Sequence, residues 1–157
     1  MQIKLIVIGK TAEAYLKHGI DEYLGRLKHY VKMEYIEITA LKNSGSLSVE
    51  QVKEKESELI LKSVQSSDHL VLLDEGGKEL SSIELSKWIG GKMNTGVKTL
   101  VFVVGGAYGF SKNVYGRADM KLSLSRMTFS HQMVRLFFVE QLYRGFTILK
   151  GEKYHHQ

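Results

Sequence analysis

The chain has 157 residues, 43% apolar and 25% charged, with a net charge of +5. These totals describe one globular domain, 1–157, able to bury a core and without a disorder signature. Cysteine is absent, which excludes disulfides and thiolate metal sites. No apolar run reaches the roughly 18 residues that a membrane helix needs, and Met1-Gln2-Ile3-Lys4 leads into a strand-like run, not a signal peptide. The expected setting is the cytoplasm, with no membrane partner.

Strand and helix signals alternate along the chain. Ile3–Ile8 is a short apolar run closed by Gly9, the pattern of a buried strand. Thr11 is placed to cap a helix whose Leu16, Ile20, Tyr23, Leu24 and Leu27 recur at helical spacing. Met33–Ile38 alternates polar and apolar residues, as a strand near a sheet edge does. Asn43-Ser44-Gly45-Ser46 lies in a loop spanning 41–47. Ser48 with Gln51, and later Ser81 with Glu84, are capping-box pairs that open two helices. The first runs to about Val64; the second carries Ile83, Leu85, Ile89, Met93 and Trp88, a core aromatic. Between them lies a strand at His69–Leu73, ended by Asp74-Glu75-Gly76-Gly77. A strand at 99–104, a Gly105-Gly106 turn, a short helix from Ser111, a brief strand at 121–124 and a last helix at 131–149 complete the order. Such alternation predicts an α/β fold: a mostly parallel sheet covered by helices on both faces.

The last helix is apolar over more than one face: Met133, Leu136 and Phe137 lie on one side, Val134, Phe138, Leu142 and Phe146 on another. An arc that wide is deeply buried or shared with a second copy, and a homodimer is the expectation. The charge is also uneven. Acids and bases cancel over residues 1–106, whereas residues 107–157 hold 8 Lys/Arg against Asp119, Glu140 and Glu152. A basic region suits a polyanion as readily as it suits solvent.

Three strand exits carry the functional signal: Leu72-Leu73-Asp74-Glu75-Gly76-Gly77, Val104-Gly105-Gly106 and Leu122–Phe129. Strands of one polarity end on one edge, so these loops converge where open α/β sheets bind ligands. Their apolar side chains and open backbone suit a heteroaromatic ring and a ribose read by main-chain groups. Neither a phosphate-binding P-loop nor a dinucleotide fingerprint is present, because Lys112 and the glycines stand at the wrong spacing. His18, His29 and His69 have no ligand spacing and His155-His156 is only a dipeptide, so no metal is expected.

In order along the chain, Gly105-Gly106-x-x-Gly, Leu-Ser-Leu-Ser-x-Met-Thr-Phe-x-His, the Arg135…Glu140-Gln141-x-Tyr143-Arg144 helix and the Tyr154-His155 tail resemble the RlmH family over essentially the full length. These are SPOUT-class methyltransferases acting on 23S ribosomal RNA. The resemblance implies methylation of N3 of a pseudouridine, S-adenosyl-L-methionine as donor, a homodimer, and a C-terminal trefoil knot that forms the cofactor pocket. It further implies that Leu73, Gly105, Leu124, Ser125, Arg126, Met127, Thr128, Phe129 and Ser130 bind the cofactor. The family usually has proline where Ser130 stands; serine keeps a polar group there, and binding is expected to survive.

Methyl transfer is an in-line displacement that depends on positioning, and the imide nitrogen must lose a proton and have its charge stabilised. Arg144 is the candidate for that charge, with Tyr154 and His155 completing a catalytic group from the tail. His131 is either a base or a cap for the last helix, and Arg135 either pairs with acids or meets RNA. No RNA-binding motif is present, so an assembled ribosome, recognised by shape, is the expected partner and naked RNA a poor substrate. The competing readings are a non-catalytic RNA-binding module and a NAD-binding enzyme.

Overall fold

The structure, a computed structural model, describes residues 1–156. Its order is β1 (Gln2–Ile8), α1 (Ala14–Leu27), β2 (Lys32–Ile38), a 3-10 turn (Ser44–Ser46), α2 (Val49–Lys62), β3 (His69–Glu79), α3 (Ser82–Asn94), β4 (Thr99–Val104), α4 (Lys112–Arg117), β5 (Met120–Ser123) and α5 (Met133–Leu149). The strands form a single sheet in the order β2-β1-β4-β3-β5, every pair of them parallel. The α/β expectation holds, and β2 is an edge strand as its alternation suggests.

Period-two side-chain alternation divides the core in two. Ile3, Leu5, Val7, Leu100, Phe102 and Val104 pack with α1, α3 and α5, whereas Ile6, Ile8, Val101 and Val103 pack with α2 and α4. The centre of the sheet is therefore apolar on both faces, as parallel strands require. Trp88 joins the first layer, its ring 6.3 Å from Phe102. The wide apolar arc of α5 follows from its seat between α1 and α3. Phe138, Val139, Leu142 and Phe146 are buried there, while Phe137 stays 40% exposed. Glycines allow the close approach: a Cβ on Gly19 of α1 would lie 2.9 Å from Leu136. On the other side Ser86 of α3 donates to the Gly145 carbonyl at 2.8 Å.

Both capping boxes form as the sequence indicates. Two segments depart from the pattern of the sequence. Thr11 caps no helix: α1 starts at Ala14 after Glu13, without a side-chain cap. The Thr11 hydroxyl instead accepts from Arg135 Nη1 at 3.2 Å. The strand expected to stop at Leu73 continues to Glu79 after a break in register. Leu73 and Lys78 both stand opposite Leu122 of β5, and the residues between them bow out of the sheet. Gly77 makes the return possible, because a Cβ there would lie 2.7 Å from the Leu122 nitrogen.

Candidate functional site

The bow in β3, the turn after β4 and the segment after β5 enclose one cavity of about 660 Å³ at the C-terminal edge of the sheet. The three strand exits thus converge. Of the expected cofactor residues, Leu73, Gly105, Leu124, Ser125, Met127, Thr128, Phe129 and Ser130 line it. Arg126 does not; its side chain is 89% exposed, 3.8 Å from Glu79 on the outer surface.

Local hydrogen bonds shape the 124–130 wall. Ser123 donates to the Ser125 carbonyl at 2.8 Å, and Ser125 Oγ accepts from Met127 N at 2.9 Å. Thr128 Oγ1 reaches across to Glu75 Oε2 at 2.7 Å. At the end of the segment Ser130 Oγ accepts from Met133 N at 3.0 Å. Ser130 therefore meets the first amides of α5, and the capping alternative for His131 falls away. His131 lines the cavity instead. Burial, aided by the nearby Arg135 charge, lowers its pKa from the ordinary 6.5, so the neutral imidazole is favoured at pH 7.

Arg135 neither pairs with acids nor faces solvent. It is fully buried, with Nη2 donating to the Ile8 carbonyl at 2.7 Å and Nη1 to the Gly9 carbonyl at 2.9 Å. Its Nε donates to the His131 carbonyl at 3.0 Å. One guanidinium thus ties the exit of β1 to the start of α5, using the several fixed donors that lysine lacks.

The walls are less apolar than the sequence pattern suggests, because two acids belong to them. Asp74 and Glu75, on the bow of β3, line the cavity together with Gly106, Tyr108, Phe110 and Tyr115. Asp74 accepts from Gly76 N at 2.8 Å and from the Tyr115 hydroxyl. Burial first, and then the Asp74 bond, push the Tyr115 pKa up to about 12, so the phenol remains a donor. The position of these acids at a strand exit was the available signal. Among the described residues, no group of three His, Asp or Glu is arranged to hold a metal.

Arg144, Tyr154 and His155 gather in a second place. Glu140 Oε1 accepts from Arg144 Nη2 and, at 2.9 Å, from the Tyr154 hydroxyl. Tyr154 is also 3.1 Å from the Tyr23 hydroxyl, and Arg144 Nη1 is 3.3 Å from His155 Nδ1. The Arg144 guanidinium lies 4.8 Å from the centre of the Tyr154 ring. Its pKa is raised, chiefly by the bond to Glu140, and burial raises that of Tyr154. A further bond, Tyr30 to Glu152 at 2.6 Å, anchors the tail. None of the three lines the cavity. A groove of about 340 Å³, bordered by Glu140, Gln141 and Phe137, joins the two places by sharing Leu122, Ser123, Leu124 and Phe129.

The family model described as "Predicted SPOUT methyltransferase" matches residues 1–155. The chain is 59% identical to the ribosomal RNA large subunit methyltransferase H of Christiangramia forsetii and to that of Flavobacterium johnsoniae, over all of both chains in each case. It is 57% identical to the protein of that name from Parabacteroides distasonis, with the same coverage. An all-parallel sheet whose strand exits build one cavity, matched end to end by these proteins, places the chain in the SPOUT methyltransferase family.

Proposed function

We propose that this chain is an S-adenosyl-L-methionine-dependent methyltransferase of 23S ribosomal RNA, working in the cytoplasm on N3 of a pseudouridine within the assembled ribosome. The observation that carries the reading is the single cavity formed by three strand exits, in a chain matched throughout by rRNA methyltransferases. The walls suit the donor: apolar residues for an adenine ring, and exposed backbone at Gly105 and at 124–130 for its polar edge. The bound donor would supply a methyl on a sulfonium, transferred as the C–S bond breaks with its electron pair left on sulfur.

The protein's own groups account for the rest. His131, neutral on the cavity wall, is in the form that accepts a proton. Arg144 keeps its charge and supplies the stabilisation that an imide anion needs. Because Arg144, Tyr154 and His155 lie outside the cavity of their own chain, they serve the cavity of a second copy in a homodimer. The buried His155 Nε2, which has no partner among the described residues, suits a group completed by substrate or by that copy. The 124–132 segment is proposed to close the trefoil knot. In support, the chain leaves β5 at one sheet edge and crosses the exits of β3 and β4. It then reaches the loop that follows β1, where Gln132 Oε1 accepts from Ala12 N at 2.9 Å.

Mapping methyl groups on 23S rRNA from cells with and without the protein tests the reading. Loss of one N3-methylpseudouridine supports it, and an unchanged map refutes it. Calorimetry separates the rivals: tight RNA binding without donor affinity indicates a non-catalytic module, and NAD binding indicates a dehydrogenase-like enzyme.

A further inference from the structure

We propose that the carboxylate of Glu56, set directly behind Gly106, is the group by which the cavity distinguishes cationic S-adenosyl-L-methionine from neutral S-adenosyl-L-homocysteine. The inference rests on the reading of the cavity as the donor site, and it gives a role to a residue outside that cavity's lining. Glu56 lies on α2 and is only 9% exposed. Its Oε2 is buried without a hydrogen-bond partner among the described residues. The other buried acid, Asp68, accepts from Gln65 N at 2.9 Å. A buried carboxyl left without a donor is destabilising, and a group that only braced the turn would be hydrogen-bonded to it.

The direction of the side chain supplies the explanation. A Cβ built on Gly106 would lie 2.5 Å from Glu56 Oε2 and 2.8 Å from Oε1. Both carboxyl oxygens therefore occupy the space where a side chain would begin on a residue that lines the cavity. Any other residue at 106 would drive the carboxyl away. Glycine leaves one thickness of backbone between the acid and a ligand against that wall. The next residue fixes the arrangement, because Ser57 Oγ accepts from Ser111 N at 3.2 Å and so registers α2 against the end of the turn.

Coulomb attraction over such a path, with little water between, is several times what it would be in bulk solvent. It acts on the donor, which carries a net positive charge, and vanishes once methyl transfer leaves a neutral thioether. Burial raises the Glu56 pKa, and a cation on the far side of Gly106 favours the ionised form. Glu56 thus favours entry of the donor and departure of the product.

The test is calorimetric titration of the full-length wild-type protein and of E56Q with S-adenosyl-L-methionine, S-adenosyl-L-homocysteine and sinefungin, which carries an ammonium in place of the sulfonium. E56Q is expected to weaken both cationic ligands about tenfold and to leave the neutral one within about twofold. Unchanged binding of the neutral ligand also shows that the cavity has folded. Equal weakening of all three, or no change in any, overturns the proposal and makes Glu56 a structural brace. Should E56Q fail to fold, the wild-type protein decides, because neutral product bound as tightly as the two cations is equally fatal. Wild-type protein that binds none of the three refutes the donor-site reading itself, a distinct result.

Discussion

Arg135 meets three carbonyls and a hydroxyl and has no charged partner among the described residues, so its removal takes a donor from the buried Ile8 carbonyl and from three part-buried acceptors. Arg135→Met is expected to lose about 3 kcal/mol of stability in urea unfolding. Arg135→Lys should recover only part, because one ammonium does not span carbonyls from two segments; a loss under about 1 kcal/mol for either would contradict this account. Ser130 makes a milder case. Ser130→Pro removes the bond to Met133 N but stiffens the unfolded chain, and the two effects oppose. Stability should move by less than about 1 kcal/mol, with donor affinity preserved on titration. For His131 the sign follows from its lowered pKa. The unfolded chain binds the proton more readily, so this contribution to stability is intact above pH 6.5 and declines as pH falls through the folded value. An NMR titration should place the His131 midpoint below 6.5, and His131→Asn should remove its share of the decline.

Among the elements, local chemistry and distant pairing leave different traces in the sequence. The two capping boxes were legible because donor and acceptor are three residues apart; Ser48→Ala and Ser81→Ala should each lose about 1 kcal/mol. Thr11 has the right residue type for a cap but is claimed by Arg135, which no local window contains. The second half of β3 was illegible for the same reason. Its residues form a strand only because β5 pairs with them again beyond the bow. Glycines show the contrast in one experiment. Gly77→Ala meets the backbone of Leu122 and should destabilise by about 2 kcal/mol. Gly91→Ala, exposed on α3 with nothing near its Cβ, should stabilise by about 0.5–1 kcal/mol.

For the whole molecule, the sheet, its two faces and the converging exits followed from periodicity and strand polarity. The separation of Arg144, Tyr154 and His155 from the cavity did not, because spacing along the chain does not place a tail. That separation makes the subunit arrangement testable. Sedimentation should give a dimer, and Phe137→Glu, on the exposed part of α5, should shift it toward monomer. Mixing Arg144→Ala with a cavity variant should restore activity above either alone if one copy's tail serves the other's cavity. The Arg135 tie also bears on how the chain matures. The carbonyls of Ile8 and Gly9 gain their bonds from Arg135 only when the final helix docks, after every intervening segment has been made. Searching for partners so remote in order makes folding slow, and until the search ends an apolar sheet face stays open to aggregation. Refolding should be a late, concerted event that a molecular chaperone assists.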